Sequence, residues 1–113
     1  MHELSIMQSA LAQALKKAGE AGARQVHEIR LRVGALSGVI PDALQFAFVS
    51  LREGTLAANA VLKIEDVPAR FWCVVCEREF TSEKLFAECP TCRCVSRDER
   101  GGRDLELASM EIT

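Results

Sequence analysis

Five cysteines and two histidines are the residues of this chain whose types and spacing could do chemistry. Four of the cysteines form two pairs, Cys73-Val-Val-Cys76 and, after twelve residues, Cys89-Pro-Thr-Cys92. A CxxC turn presents two thiolates on one side of a tight knuckle, and two such turns complete a tetrahedron around a d¹⁰ zinc ion. Thiolate softness selects zinc or iron over hard cations. Four thiolates close the coordination sphere, so a site of this kind stabilises the fold and leaves no position for water or substrate. A thioredoxin-like redox pair fits less well, because that motif opens a helix after a strand, whereas here it is doubled across a polar stretch. A rubredoxin-like iron site shares the spacing and stays open. In CPTCRC either Cys92 or Cys94 could be the fourth ligand; the CxxC step matches the first knuckle and favours Cys92, with Cys94 a partly shielded spare thiol.

The second group is the amino terminus, Met1-His2-Glu3. Removal of an initiator methionine needs a small second residue, so Met1 is expected to stay, with a free amine that titrates near pH ~8 and can yield its proton to a metal. Amine, deprotonated backbone amides and the His2 imidazole make a nitrogen-rich chelate, which suits the planar preference of Ni(II) or Cu(II) better than zinc's tetrahedron. Histidine stands second here and third in the familiar terminal copper/nickel motif, so the donor set is not fixed by spacing. On the residues alone the plainer reading is an inert terminus, with Glu3 a first-turn carboxylate facing the positive end of a helix dipole. His27 opens a strand beside Glu28 and reads as a strand-edge or half-buried imidazole.

Zinc ribbons are frequent in nucleic-acid-binding proteins, and charge tests that reading. Residues 70–103 hold seven Lys or Arg against six Asp or Glu, with the signs interspersed. A nucleic-acid face would need a clustered basic stripe. The whole chain carries a net charge of −2, which gives no general attraction to nucleic acid or an acidic membrane surface. No apolar run approaches the roughly 18 residues of a membrane span, and Glu3, Gln8 and Gln13 interrupt the opening stretch where a secretory signal would be apolar. A cytoplasmic location is expected, where cysteines more often ligate metals than form disulfides. No nucleophile–base pair or phosphate loop marks an enzyme.

The elements that must position these residues follow from periodicity. Leu4, Met7, Leu11, Leu15 and Ala18 line one face of a helix that Gly19 and Gly22 stop. His27–Val33 alternates, with Ile29, Leu31 and Val33 on one side and Glu28, Arg30 and Arg32 on the other, as in a strand with one wet face. Pro41 and Asp42 open a second helix with the stripe Leu44, Ala47, Phe48 and Leu51, ended by Gly54. Residues 60–67 alternate again until Pro68. Residues 70–103 have no period of either kind, and Phe71, Trp72, Phe80, Leu85 and Phe86 are nearly all their bulk, so this segment needs a cross-link to fold. Residues 104–113 form a closing strand whose apolar phase slips between Leu107 and Ala108, predicting a bulge or an early end to one-sided burial. The expected architecture is α/β (α+β): a small three-stranded sheet with two helices on one face, plus a projecting lobe with four cysteine ligands. Residues 1–69 and 104–113 would be the α/β domain and 70–103 the zinc-binding lobe.

Several segments in this order, MHELSI, RLRVGALSGVIPDALQFAF, LKIEDVP, CxxC followed by CPxC, and GRDLEL, together resemble the HypA/HybF family of nickel metallochaperones for [NiFe]-hydrogenase maturation. The resemblance covers nearly the whole chain. It implies a non-enzymatic protein that binds Ni(II) as cargo through His2 and Glu3, with the Met1 amine nearby, and structural Zn(II) through Cys73, Cys76, Cys89 and Cys92. It implies a HypB-type GTPase partner and delivery to the hydrogenase large-subunit precursor, in some members also to urease. The charge balance adds no nucleic-acid or membrane partner, and a monomer or homodimer is expected. Some relatives bring a histidine from the zinc lobe into metal binding; this sequence has none after His27.

Overall fold

The computed structural model describes residues 2–82 and 87–113; the expectations for Met1, Leu85 and Phe86 lie outside the described residues. The elements run α1 (His2–Glu20), β1 (Val26–Gly34), α2 (Pro41–Leu51), β2 (Val61–Val67), β3 (Ala69–Cys73), β4 (Arg78–Ser82), β5 (Ala87–Glu88), β6 (Val95–Ser96), β7 (Glu99–Gly101) and β8 (Leu105–Ile112). Contacts divide the chain into two units. The first takes the chain up to Arg32, Val39–Glu65 and Glu106–Thr113; the second takes Val33–Gly38 and Asp66–Leu105.

The first unit holds both helices and most of a three-stranded sheet of order β2-β1-β8. The Val26 N–H reaches the Leu56 carbonyl and the Ala35 N–H reaches that of Val67, so β1 and β2 are parallel; Gln25 meets Thr113 and Gly34 meets Asp104, so β1 and β8 are antiparallel. Ile29, Leu31 and Val33 are buried while Arg30 and Arg32 are exposed, as the alternation requires. On α1 the buried face is Met7, Ala10, Leu11, Ala14 and Ala18. Leu4 and Leu15 are half-buried at its margin. Gly22, at φ +72°, closes α1: the Ala23 N–H bonds the Ala18 carbonyl and the Gly22 N–H that of Gly19, a Schellman cap. Pro41 opens α2 without a side-chain cap from the preceding residue, Ile40. The phase slip in β8 is visible as neighbouring half-buried Leu107 and Ala108 within one unbroken strand.

The second unit contains short strands that the aperiodic sequence of residues 70–103 hides. One sheet has the order β4-β3-β7, and β5 pairs with β6. In β3, Ala69, Phe71 and Cys73 alternate inward directly behind Pro68. Phe71 and Phe80 stack across the β3–β4 pair at 5.9 Å, and the core around them is Ala69, Cys73, Ala87 and Cys89, with Leu36 packed against it. Among the described residues no helix is long and apolar enough to cross a membrane.

Candidate metal centre

Each cysteine pair sits at the tip of a β-hairpin. The first knuckle joins β3 to β4, with Cys73 opposite Arg78; the second joins β5 to β6, where Glu88 pairs with Val95. The two turns repeat one conformation. The Glu77 N–H bonds the Cys73 carbonyl at 2.8 Å, and the Arg93 N–H bonds the Cys89 carbonyl at 2.9 Å. The residue behind the second cysteine is left-handed in both, Glu77 at φ +53° and Arg93 at φ +66°. This shared turn folds each CxxC back so that its two sulfurs face one point, and the Cys76 N–H lies 3.4 Å from the Cys73 sulfur.

The four sulfurs of Cys73, Cys76, Cys89 and Cys92 lie within 4.8 Å of one another. The Cys73–Cys92 distance is 3.4 Å and the Cys76–Cys89 distance 3.9 Å. Sulfurs placed about 2.3 Å from a tetrahedral zinc are about 3.8 Å apart, so the two distances bracket the spacing that ion needs. So close together, the thiols compete for charge. Backbone N–H groups of Cys92 and Thr91 draw Cys89 down to about 6, whereas the hydrogen bond with Cys92, followed by burial, pushes Cys76 up to about 12. A dication at the centre ends that competition, because a coordinated thiol is deprotonated outright. Cys94 stays exposed and outside the cluster. Its carbonyl nevertheless accepts the Cys89 N–H at 2.9 Å, so its backbone helps to build the second knuckle.

At the other candidate site, His2 is the first residue of α1 and its side chain is 65% exposed. Glu3 is only 19% exposed. Its Oε2 accepts the Ile40 N–H at 3.3 Å and lies 3.8 Å from His2 Nδ1. Backbone N–H groups, its own and that of Ile40, hold the Glu3 carboxyl below its ordinary value, with the His2 imidazole adding to the effect. The first four N–H groups of a helix have no intrahelical acceptor, so those of His2 and Glu3 are not tied into the ladder. The Glu3–Ile40 bond, which spans 37 positions, could not be found from sequence. His27 is exposed on β1, with Nε2 2.9 Å from the Thr113 hydroxyl.

Among the described residues of the second unit, four arginines stand in ion pairs within it. Arg70 pairs with Glu79, Arg93 with Glu88, Arg100 with Asp98 and Arg103 with Glu99. Arg100 also lies over the Trp72 ring, 4.9 Å from its centroid. Each of these four arginines thus has a carboxylate beside it, where a nucleic-acid face needs clustered unpaired basic groups.

The family described as hydrogenase/urease nickel incorporation, metallochaperone, HypA matches residues 1–112. The chain is 43% identical over 112 residues to the hydrogenase maturation factor HypA of a Picosynechococcus species, covering 99% of both chains. It is 43% identical over 113 residues to that of Chloroflexus aggregans, covering 98% of both. Among solved structures it resembles a HypA protein in solution, with TM-score 0.71 and 26% identity over 100% of this chain and 97% of that one. It shares its fold with the Ni metallochaperone HypA of Helicobacter pylori, with TM-score 0.67 and 24% identity over 97% and 96% of the two chains.

Proposed function

The chain belongs to the HypA family of nickel metallochaperones for hydrogenase maturation, which are maturation factors and not enzymes, and from that membership we propose how it handles its metals. Ni(II) is held at the amino terminus by the Met1 amine, the His2 imidazole and backbone nitrogens of His2 and Glu3. It is then passed, with a HypB-type GTPase, to the [NiFe]-hydrogenase large-subunit precursor, and by the same route to urease where that enzyme is present. Zn(II) is bound by Cys73, Cys76, Cys89 and Cys92 as a permanent fastener. GTP hydrolysis belongs to the partner.

The observation that carries this reading is the placement of His2, an exposed imidazole on the first residue of a helix whose leading N–H groups have no partner in the ladder. A chaperone must select its ion and still release it. Nickel lies between cobalt and copper in intrinsic affinity, so selection rests on planar nitrogen geometry, and protonation of amine, amide or imidazole loosens the chelate as pH falls. Calorimetry of Ni(II) binding tests the assignment on the native protein, on His2→Ala, and on a form with residues added before Met1. Loss of an outer-shell partner already costs about 10–100-fold in metal affinity, so both altered forms should lose at least about 100-fold. Equal nickel binding by all three would exclude the terminal site.

A further inference from the structure

We propose that Arg78 is a positioning residue for the zinc site: its guanidinium ties the first cysteine knuckle to the second through the Thr91 hydroxyl, and so steadies the backbone that supports the Cys89 sulfur. The inference rests on the four-cysteine zinc assignment proposed above and gives that site a support outside its ligands.

Arg78 begins β4 and stands directly opposite Cys73 in the β3–β4 pair. Opposed residues of an antiparallel pair project from the same face, so the Arg78 side chain leaves the hairpin on the side where Cys73 carries its sulfur. From there its Nη2 donates to Thr91 Oγ1, 13 positions away in the second knuckle. Thr91 is the third residue of Cys89-Pro-Thr-Cys92, and its own N–H bonds the Cys89 sulfur. One side chain therefore connects the residue facing one buried cysteine to the residue that bonds the other. The first knuckle has Val75 at the matching place, without a hydroxyl, so no such link runs the other way. Charge adds to the effect. A dication held by four thiolates carries net negative charge, which a neighbouring cation offsets. Arg70, Arg93, Arg100 and Arg103 are each beside a carboxylate, whereas the described partner of Arg78 is a neutral hydroxyl. Groups that orient metal ligands from outside the first shell tune how tightly the ion is held, and a resident zinc must stay bound while a cargo ion comes and goes.

Competition for zinc against a chromophoric chelator, on the full chain at fixed pH and ionic strength, tests the link. Arg78→Met should weaken zinc binding about tenfold, the lower end for loss of an outer-shell partner, because this bond lies at the surface. Thr91→Val, close in shape but without the hydroxyl, should weaken it as well, while Thr91→Ser should bind as the native chain does. The double variant of Arg78→Met and Thr91→Val should lose no more than Arg78→Met alone, since both remove one bond. Arg78→Lys keeps the charge and a donor and should fall between native and Arg78→Met, which preserves the test if the methionine variant folds poorly. Arg70→Met is the control: it breaks an exposed pair with Glu79 on the same hairpin and should leave zinc affinity unchanged. Native affinity in Arg78→Met overturns the proposal, as do additive losses in the double variant or an equal loss in Arg70→Met, which would mark general loosening of the hairpin. If Cys73→Ala holds zinc as tightly as the native chain, the four-cysteine assignment itself has failed; if only the Arg78 and Thr91 variants are silent, the link alone has.

Discussion

Glu77 and Arg93 hold the same left-handed backbone position behind the two cysteine pairs. Neither is a residue type that favours it: a left-handed L-residue costs about 1–2 kcal/mol, which glycine avoids. The cost is tolerated because the turn aims two sulfurs at one point. Glu77→Gly should therefore stabilise the metal-loaded second unit, by about 0.5–1 kcal/mol after glycine's extra unfolded-state entropy is deducted. Denaturant unfolding followed by Trp72 fluorescence measures it. Arg93→Gly should gain less, because it also loses the exposed pair with Glu88, which is worth about 0–1 kcal/mol. A clear loss of stability in Glu77→Gly would mean that its side chain matters in a way the backbone does not reveal. At this scale the cysteine pairs were legible from spacing alone. The left-handed residues were not, since Glu and Arg carry no turn signal.

Among the elements, the close approaches involve glycine. A Cβ on Gly34 would lie 2.2 Å from the Gly102 carbonyl oxygen, the same oxygen that accepts the Leu36 N–H. Gly34→Ala must then push backbone away from backbone, and should destabilise the second unit by about 1–3 kcal/mol. Gly19 is the contrast: it sits in α1 with nothing within 4 Å of an added Cβ. Gly19→Ala should stabilise by about 0.5–1 kcal/mol, as expected for replacing an unstrained helical glycine. Thermal melts of the two variants should move in opposite directions; a neutral Gly34→Ala would mean that this approach is looser than drawn. These contacts also mark where element-level reading ran out. The two long helices and the strands at 26–34 and 61–67 follow from periods of 3.6 and 2 that bury one face. Strands β5 to β7 are two or three residues long, below the four or more over which alternation is counted, and β3 and β4, at five, are short runs whose alternation is easily missed among turns. The membership of Val33–Gly38 in the second unit depends on Gly34 meeting Gly102, a tertiary fact.

For the molecule as a whole, the two units keep their cores by different means. The first buries Met7, Leu11, Ile29, Leu31, Leu44 and Phe48, a set long enough in sequence and apolar enough to be predicted and to stand without a metal. In the second, Cys73 and Cys89 are 2% and 1% exposed and are themselves core residues beside Phe71 and Phe80, so an ion held by the proposed zinc ligands would be part of that core. Binding free energy is folding free energy in such a case. A zinc chelator should accordingly unfold the second unit alone, shifting Trp72 emission to the red while the helical circular dichroism of α1 and α2 persists. Lowering the pH should act in the same direction, because protons compete with zinc for thiolates: stability of the second unit is present where the ligands are held deprotonated and is lost on acidification. Cys73→Ala should reproduce the chelated state without acid, separating metal loss from general protonation. Helical signal falling together with Trp72 in a single transition would show that the first unit depends on the metal too, and the separate roles assigned to cargo and fastener would then have to be merged.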